Sequence, residues 1–163
     1  SAIRKLLAAG EVSRAQRLLG YPYGLSGAIV PGQGIGRTQT VPTLNLDPGP
    51  LHVAERLIPA EGVYITETQE WTVGGGGRTW PSITNIGTRP TFGGADLTIE
   101  TYLLEALDGE SPTRIRLEFR ARVRGERKFP NPEALKAQIL ADAGRAQAYW
   151  RRVARWVRPN LDA

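Results

Sequence analysis

Residues 62–86 read GVYITETQEWTVGGGGRTWPSITNI. Val63 and Ile65 fall on one side of an extended chain and Tyr64 and Thr66 on the other, the period of a strand. Val63 and Ile65 are therefore expected to face inward. Four glycines, Gly74 to Gly77, form a permissive hairpin connection, and residues 79–86 run back as the return strand. The glycines are too flexible to specify a site of their own.

The same pattern extends in both directions. Strands are expected at 25–30, 51–57, 97–104 and 113–123, with a further extended piece around Pro42-Thr43-Leu44-Asn45-Leu46. No helical period interrupts residues 23–123, so an antiparallel barrel of six or so strands is expected rather than a parallel sheet with crossover helices. Helices are confined to the ends. Residues 2–9 and 12–19 read as two short helices closed by Gly10 and Gly20. Asn131 is a candidate N-cap, with Pro132 at the first helical position and Glu133 in the first turn. Leu135, Ile139, Trp150, Val153, Trp156 and Val157 then keep a helical stripe, expected to pack on the barrel with the arginines in water. Gly144 marks a kink or a break, giving one C-terminal helix or two.

Residues 25–46, LSGAIVPGQGIGRTQTVPTLNL, carry the first candidate site. Gly32, Gly34 and Gly36 alternate before Arg37. Small residues allow a backbone to approach an anion closely, and Arg37 adds a planar donor fork suited to phosphate oxygens. A glycine-rich hairpin with an exposed Arg fits the same residues. Neither common nucleotide loop is present, since no Gly-Lys-Ser/Thr follows and Arg37 stands where a dinucleotide fingerprint needs glycine. In an extended segment Thr43 and Asn45 point to one face. Their oxygens are hard neutral ligands for Mg²⁺ already held by nucleotide phosphates; a turn at a strand end is the alternative. Glu100, on the strand at 97–104, shares a face with Thr98 and Tyr102. It is either a solvated outer-face residue or a carboxylate that must be paired or functional.

Composition narrows the classes. With 163 residues the chain has the size of one domain. It has no cysteine and a single histidine, His52, which removes disulfides, thiol nucleophiles and multi-His metal sites. No apolar run nears the roughly 20 residues a spanning helix needs, and no signal-peptide pattern is present; a cytoplasmic protein is expected. Residues 114–158 hold 13 basic and 4 acidic side chains, +9 against a chain total of +5, leaving −4 elsewhere. This basic third suits nucleotide phosphates, a nucleic acid or simply a solvated helix face. No Met stands anywhere in the chain, even at position 1, so a piece of a longer polypeptide is expected.

Taken together, these motifs resemble the riboflavin kinase family, as the kinase half of bacterial bifunctional FAD synthetases. The Gly-Arg segment before Pro-Thr-Leu-Asn resembles that family's Pro-Thr-Ala-Asn signature, with Leu44 in place of the small residue. Asn85 to Gly94, NIGTRPTFGG, matches a second signature over ten consecutive residues, read here as a loop before an acid-bearing strand. Glu126-Arg127-Lys128-Phe129 matches the segment that closes over the flavin, though Gly125 stands where the family has proline. Residues 105–112, EALDGESP, replace its usual Asp-Leu-Tyr-Gly turn. Residues 1–23 resemble the stretch that joins an adenylyltransferase half to the kinase half.

The resemblance implies a six-stranded antiparallel Greek-key-type barrel over residues 21–125, a helical region at 131–158 and a helical lead-in at 1–20. It implies ATP- and Mg²⁺-dependent phosphorylation of riboflavin to FMN. Glu100 would be the base, Thr43 and Asn45 the metal ligands, and Gly32, Gly34, Gly36, Arg37 and Thr43 the nucleotide site. Arg127, Lys128 and Phe129 would meet the flavin. The implied partners are riboflavin, FMN, ATP and ADP, with a covalently linked adenylyltransferase domain in the parent chain; neither nucleic acid nor membrane is expected. Two rival readings are a flavin-binding module without catalysis and a nucleic-acid-binding barrel. The second would need aromatics interleaved with Arg114, Arg116, Arg120 and Arg122, where Phe119 is the only one.

Overall fold

The computed structural model describes residues 1–31, 42–49 and 57–157, with side chains to residue 154. The chain begins with helices α1 (Ala2–Ala8) and α2 (Val12–Leu19). Ser1 caps α1 by accepting from the Arg4 N–H at 3.3 Å. Gly20 ends α2 at φ 80°, a left-handed turn that glycine enters without penalty. Six strands follow among the described residues: β1 (Tyr23–Val30), β2 (Thr43–Leu46), β3 (Gly62–Glu70), β4 (Thr79–Thr91), β5 (Gly94–Leu103) and β6 (Arg114–Arg124). They close into an antiparallel barrel in the order β1-β2-β5-β4-β3-β6. The hairpin-linked run β3-β4-β5 with β6 returning beside β3 is a Greek key. The strand expected at 51–57 falls, up to residue 56, outside the described residues.

Helix α3 (Pro132–Val157) is a single helix of 26 residues. Gly144 sits within it and breaks nothing; an isolated glycine costs a long helix only about 1 kcal/mol. The Asn131 Oδ1 accepts from the Ala134 N–H at 2.8 Å, the expected N-cap. The Trp156 and Val157 side chains lie outside the described ones.

The inward face of β3 is the reverse of the expectation. Tyr64, Thr66 and Thr68 point into the barrel, while Val63 and Ile65 pack with Ile83 beneath Ala146, Tyr149 and Trp150 of α3. Both faces of β3 are buried, so alternation identifies two faces without saying which is interior. Hydroxyl pairing decides it. Thr66 bonds Ser82 and Thr84 at 2.8 Å each, Thr68 bonds Ser82 at 2.8 Å, and Thr84 bonds Thr101 at 2.6 Å. These five side chains have no exposed surface, and a buried hydroxyl left unpaired would cost roughly 1–3 kcal/mol. Leu25, Leu44, Leu46, Ile115, Leu117 and Phe119 fill the other side of the interior. Helices α1 and α2 add Leu7, Val12 and Ala15 to this same cluster, and the Ser13 hydroxyl donates to the Arg120 carbonyl at 2.9 Å.

Residues 85–94 are not the loop expected from their Pro and glycines. Asn85 to Thr91 continue β4 and pair with β5 as far as Thr91 opposite Gly94. Only Phe92 and Gly93 turn, with Gly93 at φ 92°.

Candidate active site

Strand alternation and register assemble the site on the outer face of the barrel. On β2, Leu44 and Leu46 are buried in the interior, so Thr43 and Asn45 face outward. Leu44, the departure from the signature, thus fills core and does not reach the face its neighbours present. Antiparallel pairing puts Asn45 opposite Glu100 and Thr43 opposite Tyr102. On the other side of β5, Asn85 is opposite Glu100 and Ile83 opposite Tyr102. Glu100 therefore sits in a cross-strand row, Asn45–Glu100–Asn85, with side chains about 5 Å apart.

Glu100 is held from two directions. The Tyr102 hydroxyl donates to its Oε2 at 3.1 Å, and the Arg89 guanidinium lies 3.6 Å from its Oε1. The Glu100 side chain is 27% exposed, so its carboxylate is reachable. Burial, and secondarily the Glu100 charge and hydrogen bond, push the Tyr102 phenol well above its ordinary pKa. Tyr102 stays protonated and acts only as a donor toward Glu100.

Beside this row a cleft of about 250 Å³ opens between the barrel and α3. Val63 and Ile83 form its floor, Leu135 and Ile139 of α3 its far wall, and Phe129 one side. Asn85, Tyr102, Glu126 and Arg127 supply its polar rim. Glu126 lays its carboxyl on Gly87, where an added Cβ would meet Oε2 at 2.7 Å. Burial raises the Glu126 pKa, the Arg127 backbone N–H opposes that, and Glu61 and Glu100 add to the rise. The segment after β6 is anchored by a buried ion pair. Arg124 donates through Nε to the Asp142 Oδ2 at 3.0 Å, and its Nη2 lies 3.0 Å from the same oxygen. Gln138 donates to the Asp142 Oδ1 at 2.9 Å, and Arg127 donates to Gln138 at 3.2 Å. The Arg124 guanidinium also stacks over Phe129, 5.6 Å from its centroid.

Of the residues singled out in the sequence, Thr43, Asn45 and Glu100 share one face, and Arg127 and Phe129 line the adjoining cleft. Lys128 is exposed and is not part of the cleft lining. Gly32, Gly34, Gly36 and Arg37 lie outside the described residues. Asn85, Arg89, Glu126 and the Arg124–Asp142 pair were missed as individual site groups. The arginines of β6 are engaged locally: Arg116 with Glu118, Arg120 with Glu67 and Glu118, Arg122 with the Glu61 carbonyl, and Arg114 over Trp71. Phe119, the one aromatic among them, is buried inside the barrel, so β6 offers no stacking platform.

Among the described residues no three His, Cys, Asp or Glu side chains gather as a metal site, and no helix is long and apolar enough to cross a membrane. The family model for riboflavin kinase (flavokinase) matches residues 19–150. Three curated relatives are each named bifunctional riboflavin kinase/FMN adenylyltransferase. That of Escherichia coli K12 is 35% identical over 150 residues, covering 92% of this chain and 45% of the relative. That of Pseudomonas fluorescens is 34% identical over 147 residues, covering 90% and 44%. That of Bacillus subtilis is 31% identical over 153 residues, covering 92% and 46%. The chain thus spans about half the length of the curated relatives it matches. A crystal structure of a macrolide-efflux protein from Streptococcus pneumoniae superposes with a TM-score of 0.75 at 25% identity, over 90% of this chain and 45% of that one. With a family model spanning most of its length and relatives above 30% identity across nine-tenths of it, this chain belongs to the riboflavin kinase family.

Proposed function

We propose that this chain transfers the terminal phosphoryl group of ATP to the 5′-hydroxyl of the riboflavin ribityl chain, giving FMN and ADP. The observation that carries the reading is Glu100, reachable, flanked by Asn45 and Asn85, and next to a cleft that its neighbours Asn85 and Tyr102 line together with apolar side chains. An aromatic ring lodged against Val63, Ile83 and Leu135 would project its polyol chain toward Glu100. Glu100 accepts the proton of the 5′-hydroxyl as its oxygen forms the new P–O bond, and the bond from the γ-phosphorus to the β–γ bridging oxygen breaks. An alcohol is a weak nucleophile, and such proton transfer contributes about 10²–10⁴ in rate. Tyr102 and Arg89 fix the carboxylate for that role.

Thr43 and Asn45 suit Mg²⁺ brought in with the nucleotide, because they offer hard neutral oxygens and no competing charge. The ion, when bound, neutralises charge on the phosphoryl group in flight. Gly32, Gly34, Gly36 and Arg37 are proposed to cradle the phosphates, and Arg127 and Phe129 to close on the flavin; Lys128 has no supporting contact in the cleft. ATP as donor favours a cytoplasmic setting. The relatives' names pair riboflavin kinase with FMN adenylyltransferase, an activity that would consume the FMN made here.

Thr43→Ala and Asn45→Ala should each weaken Mg-ADP binding about tenfold, the loss of one ligand contact of about 1.4 kcal/mol, with an unchanged melting temperature. Calorimetric titration with Mg-ADP checks this. Parental affinity in both variants would reduce residues 42–45 to a strand end.

A further inference from the structure

The Asn85 Oδ1 is buried and has no hydrogen-bond partner. Its surroundings explain why. On its own strand the flanking positions of the same face are Ile83 and Gly87, and across β3 its partner is Val63. Glu100, across β5, is the one polar neighbour in the row, and its oxygens already face Tyr102 and Arg89. An amide oxygen left unpaired in this position is destabilising. The amide is therefore matched to a group that arrives with the ligand.

Position says which group. Asn85 is the direct cross-strand neighbour of Glu100 and lines the cleft between Glu100 and the apolar wall. In the reading above, on which this inference rests, Glu100 meets the primary hydroxyl that becomes phosphorylated. The ligand atoms next along the chain toward the ring are secondary alcohols. We propose that Asn85 is a specificity-determining residue that hydrogen-bonds the secondary hydroxyl vicinal to the phosphorylated one, so that the site selects a diol-ended polyol over a lone terminal alcohol. A hydroxyl both donates and accepts, so it satisfies the amide whichever way round the group sits. A pocket built to bond a hydroxyl rejects an analogue without it far more strongly than an apolar pocket does.

The test pairs a substrate deletion with a residue deletion. The parent chain, Asn85→Leu and Asn85→Ser are compared on riboflavin and on 4′-deoxyriboflavin, which keeps the 5′-hydroxyl. Both kcat/KM and equilibrium flavin binding, read by flavin fluorescence, are measured. The parent should prefer riboflavin by about 10- to 100-fold. Asn85→Leu should lose a similar factor on riboflavin and bring the preference close to one. Asn85→Ser, too short to reach the same hydroxyl, should also bring the preference down and stands in if Asn85→Leu melts early. A merely structural role would lower both substrates together and keep their ratio. Parental discrimination retained in a folded variant, or a parent that phosphorylates both flavins equally, overturns the proposal while leaving the kinase reading in place. A parent that phosphorylates neither flavin overturns both.

Discussion

Glu100→Gln should lower kcat by about 100-fold or more while leaving riboflavin affinity within a few-fold of the parent. Gln keeps the size of Glu100 and an acceptor for the Tyr102 hydroxyl, so the ground-state geometry survives. What it loses is the capacity to take the proton of the attacking alcohol, and that cost belongs to the transition state. The ion pair with Arg89 is also lost, but both partners are partly solvated, at 35% and 27% exposure, and such pairs contribute about 1 kcal/mol or less. Single-turnover rates, flavin affinity and melting temperature together separate these effects. A folded Glu100→Gln protein with near-parental kcat would leave catalysis to positioning and charge neutralisation alone.

The second large effect is structural. Asp142→Ala should destabilise the chain by roughly 3–5 kcal/mol, the usual cost of stranding the partner of a buried ion pair. The Asp142 side chain is 3% exposed and Arg124 14%, and both carboxylate oxygens are bonded. Removing the carboxylate leaves the guanidinium enclosed beside Phe129 without its counter-charge. It also unties α3 from the segment that follows β6, so flavin affinity should fall with stability. Replacing both partners together, Asp142→Leu with Arg124→Met, should recover much of the loss, because no charge is then buried alone. Denaturant midpoints at constant m-value measure the change. A loss within about 0.5 kcal/mol for Asp142→Ala would class the pair with ordinary surface contacts.

The barrel was legible because its strands alternate and no helical period interrupts residues 23–123. The same alternation placed Thr43 and Asn45 on one face and Glu100 with Tyr102 on another, and the antiparallel register of β2 and β5 merges the two faces. The inward face of β3 was not legible, since a helix distant in sequence buries its outer side as completely as the barrel buries its inner one. The hydroxyls Thr66, Thr68, Ser82, Thr84 and Thr101 look like surface residues one at a time. Only their mutual hydrogen bonds make them core. Pro90 and the glycines at 93 and 94 disguised a hairpin as a loop, yet Pro90 lies beside the turn, past the last β4 residue that pairs with β3, where a missing N–H costs little. A turn placed at Phe92–Gly93 would have counted back to Asn85 opposite Glu100, so that pairing was recoverable from the sequence. The cleft itself was not, because Val63 and Ile83 meet Leu135 and Ile139 only through packing of α3 on the strands.

The central claim is tested most directly by incubating the purified chain with riboflavin, ATP and Mg²⁺ and separating the flavins by chromatography with mass detection. The account predicts FMN formed one-for-one with ADP, dependent on the divalent ion and abolished by omitting ATP. Riboflavin recovered unchanged beside intact ATP, from protein whose circular dichroism and melting show it folded, would contradict it.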